Sequence, residues 1–363
     1  MERADVVVVG VGAWGSAAAR VLGQRGVETV ALERFRVGHV RGSSHGPTRI
    51  FRLSYPEAEY VRMAERALDL WRALEHDADE TLLVTTGGLD TGPGAERCAE
   101  SLAEAGVEHE WLSKEECERM FPGIAATGPA LYQADAGVSL AERTVAAQVR
   151  LAAADGVEVR EETEVLALRP RDDGVGVDTA DGPIDARVAI VTPGAWAAHL
   201  LDVPVTASMQ TVTYFAPRDE AHPWPTYIEW GGEGFAWYGV PREGGAPGVK
   251  VGEHRPLRTV DPKDGPFEAD PDAIEGSADF VRRRFPGLDP QPLASETCLY
   301  ELSPDEHFVL DREGPIVIGT GGSGHGFKFA PLLGEVLADL ATGRDPALPV
   351  GKFSLARFAG VAE

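Results

Sequence analysis

Residues Asp5-Val6-Val7-Val8-Val9 run straight into Gly10-Val11-Gly12-Ala13-Trp14-Gly15. This junction restricts the possible folds more than any other stretch of the chain. A continuous β-branched run suits a strand buried on both faces, as in a parallel sheet. Gly10 permits a tight turn, Gly12 lets backbone approach a pyrophosphate, and Gly15 allows close helix–strand packing. An Ala-rich stretch to about Leu22 then reads as a helix, Gly26 breaks it, and Glu28 to Leu32 reads as a second strand ending in Glu33. The N-terminus of such a helix offers free N–H groups and a favourable dipole to an anion. Glu33 lies eighteen residues past Gly15 (33 − 15), where it can accept hydrogen bonds from ribose hydroxyls. The unit therefore predicts dinucleotide binding, and the acid favours FAD or NAD over NADP.

With 363 residues, the chain has room for roughly two domains. Lys plus Arg number 34 and Asp plus Glu 58, a net charge of −24. Such a field repels phosphate backbones and anionic membranes, so nucleic acid and membrane are not expected partners. Three cysteines, Cys98, Cys117 and Cys298, are too few for a disulfide framework and fit a reducing cytoplasm. No apolar run approaches the roughly 20 residues of a membrane span. The acid-bearing start, Met1 to Asp5, does not read as a signal peptide.

Further along, Pro56 to Asp77 predicts a long amphipathic helix, with Tyr60, Met63, Ala67, Leu70, Trp71 and Leu74 at helical spacing. Ala141 to Ala154 predicts another. Val157 to Val165, Val175 to Thr179 and Ile184 read as a meander of short strands, and Ala189-Ile190-Val191 as a buried parallel strand. From Val205 to Phe308 short alternating segments (Thr211 to Phe215, Phe235 to Val240, Val249 to Gly252) are punctuated by Gly and Pro, the pattern of an antiparallel sheet. Ile316-Val317-Ile318 returns to the buried-strand pattern and Pro331 to Ala341 reads as a helix. The fold expected is α/β with an α+β second domain: a Rossmann-like dinucleotide domain interleaved with an antiparallel-sheet substrate domain. The first is assigned residues 1–85, 140–200 and 310–363, the second 86–139 and 201–309.

Three further motifs carry chemistry. Gly42 to Arg52 places Arg49 and Arg52 at i and i+3 in a small-residue loop. These guanidinium groups could hold a substrate carboxylate or a cofactor's negative charge; the alternative is a solvated basic loop. Gly319-Thr320-Gly321-Gly322-Ser323-Gly324-His325-Gly326-Phe327-Lys328 runs into a helix and repeats the anion-binding logic of the first motif; the alternative is a plain loop with a surface lysine. Cys298 sits on an apolar segment, where a lone cysteine is commonly an inert core residue. Cys98 and Cys117 lie in Glu-rich helical stretches and receive no role.

Taken in order, these segments resemble the monomeric sarcosine oxidase family, which includes N-methyltryptophan oxidase and related flavin-dependent amino acid oxidases. The resemblance spans Asp5 to about Phe353. It is carried by Gly10 to Gly15, Gly42 to Arg52, Thr192-Pro193-Gly194-Ala195-Trp196, Lys250-Val251-Gly252-Glu253-His254, Cys298 with Asp305-Glu306-His307-Phe308, and Gly324 to Phe329. It implies FAD, with a covalent thioether from Cys298 to the flavin 8α-methyl group. It implies His45 and Arg49 beside the isoalloxazine ring, Arg52 and Lys328 on the substrate carboxylate, Lys250 as the oxygen-activating residue, and Tyr238 and His254 bordering the substrate. The cofactor-binding set is Gly10, Gly12, Ala13, Trp14, Gly15, Glu33, Arg34, Ser43, His45, Thr48, Arg49, Cys298, Gly322, Gly324, Gly326 and Lys328. No metal is expected, and the implied state is a cytoplasmic monomer acting on a small amino acid and oxygen.

The implied reaction is oxidation of a secondary or N-substituted amino acid to an imine, hydrolysed to aldehyde and amine, with hydrogen peroxide as co-product. A cyclic imino acid or a glycated amino acid is the alternative substrate. Departures from the family pattern fall at Pro47, Glu301, Glu229, Trp230 and Trp237, and they bear on the substrate. Two other classes stay open: an NAD-dependent dehydrogenase, and a flavin-bearing protein without turnover.

Overall fold

The computed structural model describes residues 2–231, 236–254 and 258–359. The expected strand beginning at Phe235 starts outside that range, and its described part runs Ala236–Val240.

The opening unit forms as the sequence predicts. Strand Glu2–Val9 is followed by helix Ala13–Gln24 and strand Thr29–Leu32. The two strands pair in parallel, Val6 opposite Thr29 and Val9 opposite Leu32. The Ala-rich helix is buried because it lies between two others, Ala141–Ala154 and Ala330–Thr342. Small residues let these helices approach closely: a Cβ on Gly334 would stand 2.4 Å from the Cβ of Ala17.

Glu2–Val9 is the centre of an eight-stranded sheet. On its other side lies Gly182–Val191, parallel to it along most of its length. The sequence reading split this segment into a meander strand at Ile184 and a parallel strand at Ala189–Val191, but it is one ten-residue strand that forks the sheet. Its first half pairs antiparallel with Gly174–Thr179, and its last residues pair in parallel with Ile316–Thr320. Both textures were legible; their continuity was not, because each half has a different neighbour.

A second sheet of nine strands carries the alternating segments. Its backbone is Thr206–Pro217, flanked by Val249–His254 on one side and Leu288–Leu302 on the other, both antiparallel. One pair departs from the expected antiparallel pattern: Gly88–Thr91 runs parallel to Thr226–Trp230. A third sheet, which the sequence did not announce, joins Thr48–Phe51, Gly137–Leu140 and Leu83–Thr85. It fixes the end of the Arg49–Arg52 segment.

The long amphipathic helix spans Ala58–Ala78. Its Trp71 is fully buried, and its indole Nε1 donates to the Lys328 carbonyl at 2.7 Å. A core residue of the helix thus anchors the C-terminal glycine turn. No helix among the described residues is long and apolar enough to cross a membrane.

Candidate active site

The four motifs converge, and specific hydrogen bonds tie them together. Trp14 Nε1 donates to the Gly326 carbonyl at 3.1 Å, joining the first glycine turn to the last across 312 residues. The His45 ring nitrogens face the carbonyls of Gly42 and Thr297 at 2.9 Å each, joining the second motif to the Cys298 strand. Between these segments lie two cavities of about 370 and 310 Å³. Six residues line both: His45, Arg49, Cys298, Tyr300, Gly324 and Phe327.

The larger cavity is built around the glycine turn. Gly10 has φ +88°, and a Cβ there would stand 2.4 Å from the Thr192 carbonyl oxygen, so only glycine fits without displacing backbone. Glu33 is buried on the wall and accepts from Val11 N at 2.9 Å and Phe35 N at 3.0 Å. A carboxylate has about four lone-pair positions, which leaves capacity for ribose hydroxyls. His39 and these two amides favour its ionised form against the cost of burial, and its pKa is lowered overall. Ala13 N is held by Ser44 Oγ at 3.1 Å. The Ser43 hydroxyl lies on the wall, buried and, among the described residues, without a hydrogen-bond partner. A bound polar ligand supplies what such an oxygen lacks.

Most of the sequence-assigned cofactor residues line this cavity: Gly10, Gly12, Ala13, Trp14, Glu33, Arg34, Ser43, His45, Arg49, Cys298, Gly322, Gly324 and Gly326. Three assigned residues lie off this wall. Gly15 is off the wall; a Cβ there would stand 1.9 Å from the Gly10 carbonyl oxygen, so its place is packing inside the turn. Thr48 is also off the wall, and its carbonyl instead accepts from Lys250 Nζ and Arg49 Nη1. Lys328 lines the smaller cavity rather than the larger one.

The smaller cavity gathers Arg52, Tyr238, Lys250, His254 and Lys328. Neither lysine is on the surface. Lys250 is 4% and Lys328 5% exposed, which removes the plain-loop alternative for Lys328 and turns Lys250 inward as well. Burial and then Arg49 bring Lys250 down to about 7. Burial and then Arg52 push Lys328 well below the usual lysine range. His254 falls to about 4 through burial, Arg52 and Lys328, and is neutral at neutral pH. Lys328 Nζ donates to Tyr55 Oη and the His325 carbonyl, both at 2.9 Å.

Arg49 donates to the carbonyls of Thr48, Ser43 and His45 at 2.7–2.8 Å. The Arg52 guanidinium stands 4.3 Å from the Tyr55 ring centroid and 5.1 Å from that of Trp230. Among the described residues, none of Arg49, Arg52, Lys250 and Lys328 makes an ion pair with a carboxylate. Lys250 and Lys328 are buried and Arg49 and Arg52 half-buried, with Asp90 near Arg52 and Glu296 near Lys250 but neither in contact as an ion pair. Cations gathered in this way favour an anionic occupant.

Two residues at this wall carry no mark of it in the sequence. Tyr60 reads as a core-face residue, yet it lines the cavity and its hydroxyl meets His307 Nδ1 at 3.0 Å. Asp90 is off the wall and supports it from behind through Trp230. It is buried, and accepts from Ser54 Oγ at 2.5 Å and Trp230 Nε1 at 2.8 Å. Nothing in Gly88-Leu89-Asp90-Thr91 marks that role, because its partners come from strands and loops far along the chain.

The profile of a family described as FAD dependent oxidoreductase matches residues 5–340. The chain belongs to this family. The flavoenzyme is 36% identical over 375 residues to a monomeric sarcosine oxidase of Streptomyces avermitilis, covering 98% of each chain. It is 32% identical to an N-methyl-L-tryptophan oxidase of Escherichia coli O157:H7, covering 98% of this chain and 99% of that one. Among solved structures it is similar to NikD, described as an unusual amino acid oxidase essential for nikkomycin biosynthesis, with TM-score 0.87, 27% identity and 98% of each chain covered. FAD is the cofactor of the family, and the Gly10 turn, the Glu33 carboxylate and the unpartnered Ser43 hydroxyl fit its adenosine and pyrophosphate.

Proposed function

We propose that this flavoenzyme oxidises a secondary or N-substituted amino acid, of the sarcosine or N-methyl amino acid type, to an imine that water splits into aldehyde and amine. Oxygen is reduced to hydrogen peroxide. The observation that supports this best is the pairing of half-buried Arg52 with buried Lys328 in a cavity that shares a wall with the cofactor cavity. FAD, when bound, supplies a two-electron acceptor that oxygen can reoxidise.

The chain's own part is binding and orientation. Arg52 and Lys328 hold the carboxylate, which sets the C–H bond beside nitrogen against the shared wall. Their charge also disfavours the ammonium form of the substrate by like-charge repulsion, leaving the nitrogen lone pair free. Tyr238 and His254 border the substrate, and Tyr55, Tyr60 and Trp230 exclude water. This aromatic lining also favours the second reading, a cyclic imino acid or a glycated amino acid. Anaerobic bleaching of the flavin across N-methyl, cyclic and glycated amino acids decides between them. Bleaching by dithionite but by none of these amines would overturn the proposal.

We also propose the thioether at Cys298. The thiol lies on the wall common to both cavities, and burial raises its pKa while Arg49 and Lys250 oppose that rise. Joining sulfur to the flavin methyl group removes two hydrogens, which oxygen can accept. Acid-denatured protein passed through a filter should retain its yellow colour, and Cys298→Ala should release it. Colour in the parent's filtrate, with a mass matching bare polypeptide, excludes the link.

The division into residues 1–85, 140–200 and 310–363 against 86–139 and 201–309 remains our reading of the domains. Sheet membership supports it, since the eight-stranded sheet draws on the first set and the nine-stranded sheet on the second. The three-stranded sheet bridges them, because Gly137–Leu140 pairs with Thr48–Phe51. We further read the protein as a cytoplasmic monomer.

A further inference from the structure

Glu301 stands on the strand Leu288–Leu302, three residues past Cys298. Its carboxyl lines the cofactor cavity. Oε2 accepts from Thr320 Oγ1 at 3.0 Å. Oε1 lies 2.9 Å from where a Cβ on Gly322 would stand, and the Gly322 backbone favours the ionised carboxyl. Trp14 and the Gly194 turn close the site, within 4 Å of these same positions. The carboxyl thus sits at the base of the Gly319–Gly326 turn, the part of the wall whose amides favour negative charge.

The charged and titratable groups on the surrounding elements are Cys298 and Tyr300 on its own strand, His45 and Arg49 on the 42–51 segment, His199 after the 194–196 turn, His325 in the glycine turn and Lys328 just after it. Among the described residues, none makes a hydrogen bond or ion pair with Glu301. An acid on the wall of the cofactor cavity would oppose reduction of a bound flavin if it stayed ionised, since two like charges in one cavity cannot both be held cheaply.

We propose that Glu301 is the proton acceptor that offsets the charge of the reduced cofactor. As two electrons and one proton enter FAD, a second proton from solvent binds the Glu301 carboxylate, so the net charge of the cavity does not change. Burial already brings this carboxyl up to about 7, outweighing the Thr320 hydroxyl and the Gly322 backbone. It is therefore ionised in the oxidised protein above neutrality and ready to take a proton.

The proposal rests on FAD binding and not on the amino acid substrate, so it is tested without one. The two-electron reduction equilibrium of the holoenzyme is measured against pH by dithionite titration with a reference dye. Between pH 7.5 and 9 the parent's equilibrium should fall hundredfold per pH unit, or about 60 mV. In Glu301→Gln it should fall tenfold per unit, or about 30 mV, and at pH 9 the variant should be easier to reduce by tenfold or more. Glu301→Thr, which keeps a hydroxyl beside Thr320, serves if the glutamine variant loses flavin. Proton uptake by the unbuffered parent on reduction, read with an indicator dye, is a measurement that needs no variant: two protons per flavin are expected. One proton in the parent overturns the proposal. So does a steep slope that survives in the variants, which would assign the proton to another group such as Lys250.

Discussion

Replacing Lys250 by Met should slow reoxidation of the reduced flavin by oxygen by about a hundredfold or more, equivalent to about 2.7 kcal/mol. Lys250 sits on Val249–His254 opposite Val240 and Tyr214. It is buried on the cavity wall, with its ammonium donating to the Thr48 carbonyl and, among the described residues, no ion pair to a carboxylate. A fixed charge contributes most where electron density moves in the transition state, here toward oxygen. Methionine keeps the length and removes the charge. Reduction by substrate under nitrogen should change much less, because that step delivers no charge to the oxygen site. Burial lowers the Lys250 pKa to about 7, so the group is charged below neutrality and loses its proton above it. The oxygen step in the parent should therefore slow as pH rises through neutrality, and in Lys250→Met that dependence should flatten. Stopped-flow traces of the two half-reactions read both effects. Reoxidation as fast in the variant as in the parent would return Lys250 to a structural role.

Arg52→Ala and Lys328→Met should each weaken substrate binding by about 2–5 kcal/mol, the usual cost of removing one partner of a buried charge-assisted pair. That is roughly thirtyfold to a few thousandfold in the dissociation constant. The two residues come from separate motifs and converge on the cavity through different supports. Arg52 is held between the rings of Tyr55 and Trp230, and Lys328 is held by Tyr55 Oη and the His325 carbonyl. Binding of an unreactive carboxylate such as benzoate, followed by the flavin spectrum, separates this effect from turnover. Flavin content should stay normal in both, because neither residue lines the larger cavity. Equal benzoate affinity in parent and both variants would place the carboxylate elsewhere. Arg52→Ala also leaves Asp90 without the nearby charge that lowers its pKa. A drop in melting temperature confined to this variant would reflect that carboxyl and not the carboxylate site.

Local pattern was enough for the elements that touch their neighbours in sequence. The Val run, the Gly10 turn and the Ala-rich helix were legible because a buried parallel strand, a pyrophosphate-sized turn and a helix packed on both sides each demand a residue type at every position. The helices Ala58–Ala78 and Ala141–Ala154 followed from periodicity alone. The cavity residues divided differently. Arg49, Arg52, Lys250 and Lys328 could be named from their motifs, but whether the lysines faced solvent or the interior could not. A strand lysine and a turn lysine look the same in sequence whichever way they point, and only the packing of Val249–His254 and of the Trp71 helix turned them inward. Asp90, Tyr60 and the carboxyl environment of Glu301 left no trace in local spacing. Each takes its meaning from partners tens to hundreds of residues away. Sequence alone thus determined the nucleotide unit and the list of charges this chain carries. The tertiary structure decided which of those charges turn inward and which form ion pairs, because burial and pairing depend on contacts that no local pattern encodes.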